Sequence, residues 1–294
     1  MRYRYLICDV FTATRFGGNP LAVLPEADGL DTAEMQQIAR EFNFSESTFV
    51  FPGENEFDRQ VRIFTPSIEV PFAGHPNVGT AFALARDGAF GSIHTEKTVI
   101  FDEEAGPVPV RIRRDGDEKI WCELEAPQDL SLGEAIEPSR IAGILSIRKE
   151  DIGTATHPPQ VASVGLPFLV VELSSMDALR RARINMPALE KLRDDGVTPD
   201  IHLYVRGGGD DINARMFAPL DGVPEDPATG SANCALAALL TAAGDSGGAW
   251  RITQGVEMGR PSLLEARTRR EQGRIRTWIG GHSVHVADGF IELG

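Results

Sequence analysis

Asp226 and His75 have the residue types and the surroundings that proton transfer needs. Asp226 stands in EDPATGSANCALAALL (225–240), where two carboxylates, two hydroxyls and a glycine open an alanine- and leucine-rich run. His75 stands in FAGHPNVGTAFALA (72–85), just before a proline suited to a helix's first turn. Both stretches read as a polar loop entering an apolar helix. A helix N-terminus leaves backbone N–H groups unpaired, with partial positive charge, and so suits a carboxylate ligand. Gly79 and Gly230 would let such a ligand approach the backbone, with hydroxyls from Thr229 and Ser231 beside it. Ordinary helix capping accounts for the same residue types and stays open as the plainer explanation. Glu46, in NFSES, taken alone is a solvated loop carboxylate.

The elements that must position these groups occur twice. RIFTPSIEVP (62–71) and RMFAPLDGVP (215–224) share Arg, Phe, Pro, Val and Pro 153 residues apart. Each leads into one of the two loop–helix junctions, where Gly79-Thr80-Ala81 matches Gly230-Ser231-Ala232 with the spacing slipping to 151. GNPLAV (18–23) echoes GLPFLV (165–170) at a spacing of 147. DTAEMQQIAREF (31–42) is a helix with a capping box of Asp31 and Glu34 and an apolar face of Met35, Ile38, Ala39 and Phe42. SSMDALRRAR takes its place in the second half, and STFVF (47–51) and IHLYVR (201–206) follow as strands. The remaining segments alternate and break at glycine, proline and aspartate, as strands do. The expected fold is therefore α+β: two pseudo-symmetric halves, each a sheet or barrel wrapped around a central helix, with a ligand cleft between them. The halves are expected at 1–122 with a returning strand at 283–294, and at 123–282. His75 and Asp226 are expected in nearly equivalent places, opposed across that cleft as acid–base groups.

Bulk properties remove several function classes. A net charge of −14 over 294 residues disfavours nucleic acid and anionic lipid as partners. No run approaches a membrane span, and the N-terminus reads as a strand rather than a signal peptide. Cys8, Cys122 and Cys234 are odd in number and lack CxxC spacing, which argues against a disulfide framework or zinc site and points to a reducing cytoplasm. Gly207-Gly208-Gly209, followed by two aspartates, reads as a hairpin loop and lacks the context of a dinucleotide site. His94, His157, His202, His282 and His285 show no ligand spacing, although the last two tempt a metal assignment. Ser231 with His75 and Asp226 suggests a hydrolase triad only weakly, since a serine at a helix start is better explained as a cap or carboxylate binder.

GGNPLAV (17–23), FNFSEST (42–48), RIFTPSIEVPFAGHP with GTA (62–81), EDPATGSA (225–232) and QGVEMGRPS (254–262) resemble the PhzF-like family of phenazine-biosynthesis isomerases, along nearly the whole chain. The resemblance implies the diaminopimelate-epimerase fold and an isomerase without metal or cofactor, acting on a dihydro-hydroxyanthranilate. It implies that Glu46 takes a proton from one ring carbon and returns it to another. His75, Asp226 and Ser231 would then orient and polarise the substrate, and Asn19, Gly74, Thr229 and Gly230 would line the site. A homodimer acting on a small carboxylate is implied too. The related epimerases use two cysteines at the helix mouths; here those places hold Gly74 and His75, and Ala228 and Thr229, which disfavours a two-cysteine racemase. An amino-acid epimerase or lyase on the same fold, or a catalytically silent binding protein, remain the alternatives. Specificity is expected from Ile68, Asn77 and the stretch from Leu220 to Val223.

Overall fold

The computed structural model describes the chain except residues 116–118, 210, 245 and 246. Asp210, part of the expected glycine hairpin, lies outside the described residues. The chain divides into two compact units, Met1–Glu125 with Gly280–Gly294, and Ala126–Ile279.

In the first unit the period-two runs become β1 (Arg2–Val10), β2 (Asn19–Leu24), β3 (Glu46–Pro52), β4 (Arg59–Phe64) and a short β5 (Glu69–Val70). They are followed by β6 (Glu96–Glu103), β7 (Gly106–Asp115) and β8 (Lys119–Glu125). Strand β2 pairs with β1 antiparallel and with β3 in parallel, β3 with β4 antiparallel, β4 with β6 in parallel, and β6–β7–β8 follow antiparallel. The last strand of the chain pairs with both β1 and β8, so eight strands close on themselves. Helix α1 (Thr32–Phe42) carries the expected capping box: the Glu34 N–H donates to Asp31 Oδ1 at 2.8 Å and the Asp31 N–H to Glu34 Oε2 at 2.9 Å. Its apolar face packs Met35, Ile38 and Ala39 against Leu24, Phe49 and Phe64. Helix α2 (Gly74–Arg86) is different: Gly74 through Ala85 are all buried. A helix without a polar face has nowhere to lie but inside, and α2 packs against β1, β2, β3, β7 and β8.

The second unit repeats the plan. β9 (Ser131–Ala135), β10 (Gln160–Ser163) and β11 (Pro167–Glu172) are antiparallel neighbours, and β12 (Ile201–Arg206) runs parallel to β11. β13 (Asp211–Ala218) pairs antiparallel with β12 and β14 (Val223–Asp226), and in parallel with β15 (Ala249–Gln254). β16 (Ser262–Glu271) follows β15 antiparallel, and the final strand β17 (Arg274–Glu292) gives its first six residues to this unit and the rest to the other. Helices α3 (Pro138–Leu145), α4 (Met176–Arg181) and α5 (Met186–Asp194) supply an apolar layer over Leu169, Val171, Ile201 and Leu203. Of these only α4 is foreshadowed by the sequence repeat. Helix α6 (Gly230–Ala242) is the counterpart of α2, buried apart from Ser231 and its C-terminal Ala242.

The two central helices correct the expected alignment of the halves. They begin at Gly74 and Gly230, a spacing of 156 rather than 151. Val70 lies opposite Ile63, whereas Asp226 lies opposite Met216; the second half spends three extra residues in the irregular β13–β14 connection. Gly79 therefore sits inside α2, not at its mouth. A Cβ there would lie 2.5 Å from Leu21 Cδ2 and 2.6 Å from Val10 Cγ2, so this glycine lets the helix press on the strands and offers no approach to a ligand.

Candidate active site

At the first helix mouth the N-cap is Ala73, which has no side chain able to cap, so the leading N–H groups of α2 are not taken up by a side chain. Gly74, His75 and Pro76 are the first three helical residues. Glu46 is the first residue of β3, opposite Leu21 of the parallel neighbour β2, whose own first residue is the buried Asn19. This register brings the Glu46 Oε2 to 3.4 Å from His75 Nδ1. The pair is not an ion pair: burial lowers the imidazole's pKa to about 3, the Pro20 backbone pulling weakly the other way, so His75 is neutral at physiological pH. Its Nε2 makes no hydrogen bond among the described residues. The contact between Glu46 and His75, 29 positions apart in the sequence, was not expected from residue types alone; the parallel β2–β3 pairing creates it.

At the second mouth Thr229 is the N-cap by backbone conformation, but its hydroxyl does not cap the helix. That corrects the capping expectation. The Thr229 hydroxyl donates to Asp226 Oδ2 instead. Asp226 is buried at the end of β14. It is therefore not the counterpart of His75: by helix register that place belongs to Ser231, the second residue of α6, which is half-buried. Gly230 opens the helix. Beneath these residues lies a polar network that the sequence did not announce. Gln254, the last residue of β15, donates through Nε2 to the Asp226 carbonyl at 2.8 Å and to Thr229 Oγ1 at 3.1 Å. Its Oε1 accepts from Asn233 Nδ2 at 2.8 Å and from the Thr229 N–H at 3.4 Å. The signal available in the sequence was an amide directly ahead of the glycine in QGVEMGRPS.

Each unit also holds its loop with a bidentate arginine. Arg62 donates to both oxygens of Glu69, at 2.6 Å each, and Arg215 to both of Glu225, at 2.8 Å each. The repeated arginine recognised in the sequence is thus an anchor for the strand entering each mouth. Three of the other histidines are committed elsewhere: His282 bonds to the Ile120 carbonyl, His285 to Asp288, and His157 to Tyr204. All three cysteines are buried, free thiols, with Cys234 inside α6.

Known proteins resemble this chain along nearly its whole length. The family described as phenazine biosynthesis-like protein (PhzC–PhzF) matches residues 8–289. An uncharacterised isomerase of Mesorhizobium japonicum is 38% identical, covering 98% of each chain. The trans-2,3-dihydro-3-hydroxyanthranilate isomerase of Pseudomonas fluorescens is 37% identical, covering 99% of this chain and 100% of the relative. A PhzF-family phenazine biosynthesis protein of Bacillus anthracis has the same fold, with a TM-score of 0.90 over 100% of both chains at 22% identity. The architecture is thus that of the diaminopimelate-epimerase-like isomerases. Within it, the chain belongs to the PhzF-like family.

Proposed function

We propose that the protein moves a proton within a small unsaturated cyclic amino acid of the trans-2,3-dihydro-3-hydroxyanthranilate type, without a cofactor. Three Pseudomonas relatives named for that isomerisation are 34% to 37% identical over 99% of this chain. The observation that carries the proposal is the Glu46 carboxylate resting 3.4 Å from a buried, neutral His75 at a helix mouth without a side-chain cap. In this reaction Glu46 takes a proton from one ring carbon and, as the acid so formed, returns it to another. His75, neutral throughout, presents its Nε2 to a substrate polar group. Asp226, held by the Thr229 hydroxyl, receives the substrate's ammonium or hydroxyl. The N–H groups of α6 at Gly230, with Ser231, receive its carboxylate. Asn19 and Gly74 at the first mouth and Thr229 at the second are the further substrate-binding residues that the family resemblance implies. The family resemblance supports a homodimer, which sedimentation of the purified protein tests, and the three free cysteines fit a reducing cytoplasm.

Incubation with trans-2,3-dihydro-3-hydroxyanthranilate in D2O should consume the substrate and place deuterium on a ring carbon, seen by proton NMR. Absence of both effects, with that compound and with a panel of cyclic unsaturated amino acids, overturns the proposal.

A further inference from the structure

QGVEMGRPS acquires a role in the fold that the proposed reaction does not by itself assign. Gly255 follows Gln254 at φ 75°, and a Cβ there would lie 2.4 Å from the Arg260 carbonyl oxygen and 2.7 Å from that of Pro227. Only glycine lets this turn seat against the backbone of the Asp226–Pro227 loop. The turn closes on itself through a 3₁₀ segment, Val256–Met258, and the Arg260 N–H donating to the Gly255 carbonyl at 3.0 Å. The motif therefore clamps the end of β15 to the second helix mouth and delivers one side chain, Gln254, underneath it.

The hydrogen-bond bookkeeping leaves Gln254 a single orientation. The Thr229 N–H can only donate, so the atom facing it is Oε1; the Asp226 carbonyl can only accept, so the atom facing it is Nε2. With Nε2 also donating to Thr229 Oγ1, the threonine's own proton is directed to Asp226 Oδ2. Asn233 locks the other side. Its Nδ2 donates to the Thr229 carbonyl at 2.9 Å and to Gln254 Oε1, so its Oδ1 accepts from His202 Nε2 at 3.0 Å. His202 is thereby fixed as the Nε2–H tautomer. Burial lowers its pKa to about 4, so it remains neutral. The chain of donors runs from His202 through Asn233 and Gln254 to Thr229 and ends on the carboxylate. Hydrogen bonds in such a buried chain polarise one another along its length.

We infer that Gln254 is a positioning residue: it aims the Thr229 hydroxyl at Asp226 and so sets the orientation and proton affinity of that carboxylate. The inference rests on the proposed function only in the use made of Asp226, not in the geometry.

The test is a ¹³C NMR titration of the aspartate carboxyls, with Asp226 assigned through D226N, in wild type, Gln254→Met, Thr229→Val and the double variant. Gln254→Met should make Asp226 a roughly tenfold weaker acid, because the donor it relies on is no longer oriented. In the Thr229→Val background the same change should have little further effect, since the hydroxyl it works through is gone. With an active substrate, Gln254→Met should lower kcat far more than it raises KM. An unchanged Asp226 titration in a folded Gln254→Met protein overturns the inference, and so does an equal shift in both backgrounds. If Gln254→Met does not fold, Gln254→Leu replaces it, losing both Nε2 donations without adding a charge, and the same comparison decides. Because the titration needs no substrate, it stands apart from the deuterium experiment.

Discussion

The two helix mouths share a plan and differ in what they hold. Each is entered by a strand anchored through a bidentate arginine, Arg62 on Glu69 or Arg215 on Glu225. Each opens a buried helix whose N-cap side chain makes no capping bond. In each the fourth helical residue is an asparagine that donates back to the N-cap carbonyl, Asn77 to Ala73 at 3.0 Å and Asn233 to Thr229 at 2.9 Å. Beyond that the halves diverge. The first mouth sets a carboxylate against a neutral imidazole. The second gives its carboxylate the Thr229 hydroxyl, which Gln254 in turn holds. By strand register the place of Glu46 is taken in the second half by Asp200, directly before Ile201, which pairs with Phe217 as Ser47 pairs with Phe64. Burial, then Asp221, push the Asp200 carboxyl up to about 7. A duplicated scaffold has thus kept its mechanical parts in both copies, while the polar groups at the two mouths have become specialised.

The sharpest break of that comparison is Glu46→Gln. In the proposed reaction it should cost roughly 10³-fold in deuterium exchange, within the usual range for a positioned acid–base group, with thermal stability little changed. Full activity in this variant would remove Glu46 from the chemistry.

The arginine anchors should separate by burial. The Arg215 side chain is 4% exposed and also donates to the carbonyls of Leu179 and Ala182, whereas Arg62 is 28% exposed. Arg215→Leu should destabilise by about 3–5 kcal/mol in urea unfolding, because it strands Glu225. Arg62→Leu should cost at most about 1 kcal/mol. Equal losses would mean that the two anchors do not differ as their burial says.

The first half should also carry an alkaline sensitivity through Glu103, at the end of β6. Burial raises its carboxyl from 4.5 to about 8, partly offset by Asn77 of α2, with Asp102 adding to the rise. The facing charges from the neighbouring strands are Arg62 and Glu69, which line the same cavity of about 390 Å³ together with Asp102 and Glu104. In the window between about 4.5 and 8 the fold retains a proton that the unfolded chain has released, so this contribution to stability is lost as pH rises through it. Melting temperatures of wild type and Glu103→Gln should therefore draw apart by several degrees between about pH 5 and pH 9, the variant falling less. Parallel pH profiles would show that Glu103 is not the group responsible. The smallest effect is expected at the outer helix, where Asp31→Ala removes the capping box for about 1 kcal/mol.

Much of this was legible in the sequence because it is local or repeated. The Asp31–Glu34 box, the apolar face of α1 and the two all-apolar helices follow from spacing within one turn or two. The doubled arginine motif marked the halves before any coordinates. What was not legible depends on register between distant strands. Glu46 meets His75 only because β2 and β3 run in parallel, and three residues absorbed in the β13–β14 connection displaced the alignment of the helix mouths. Gln254 lies 25 positions beyond Thr229, and nothing in its neighbourhood shows that both ends of its amide face the same loop. Motif resemblance pointed to that stretch, but only the hydrogen bonds give it a task.

Strand β17 has a consequence for the order in which the molecule is made. Its residues from Ser283 to Glu292 pair with β1, joining two strands far apart in sequence. A ribosome releases the first seven strands of that barrel, with their central helix, long before the one that closes it. Until β17 has been made, that barrel has two open edges, at β1 and at β8, and a strand far away in sequence must arrive to close it.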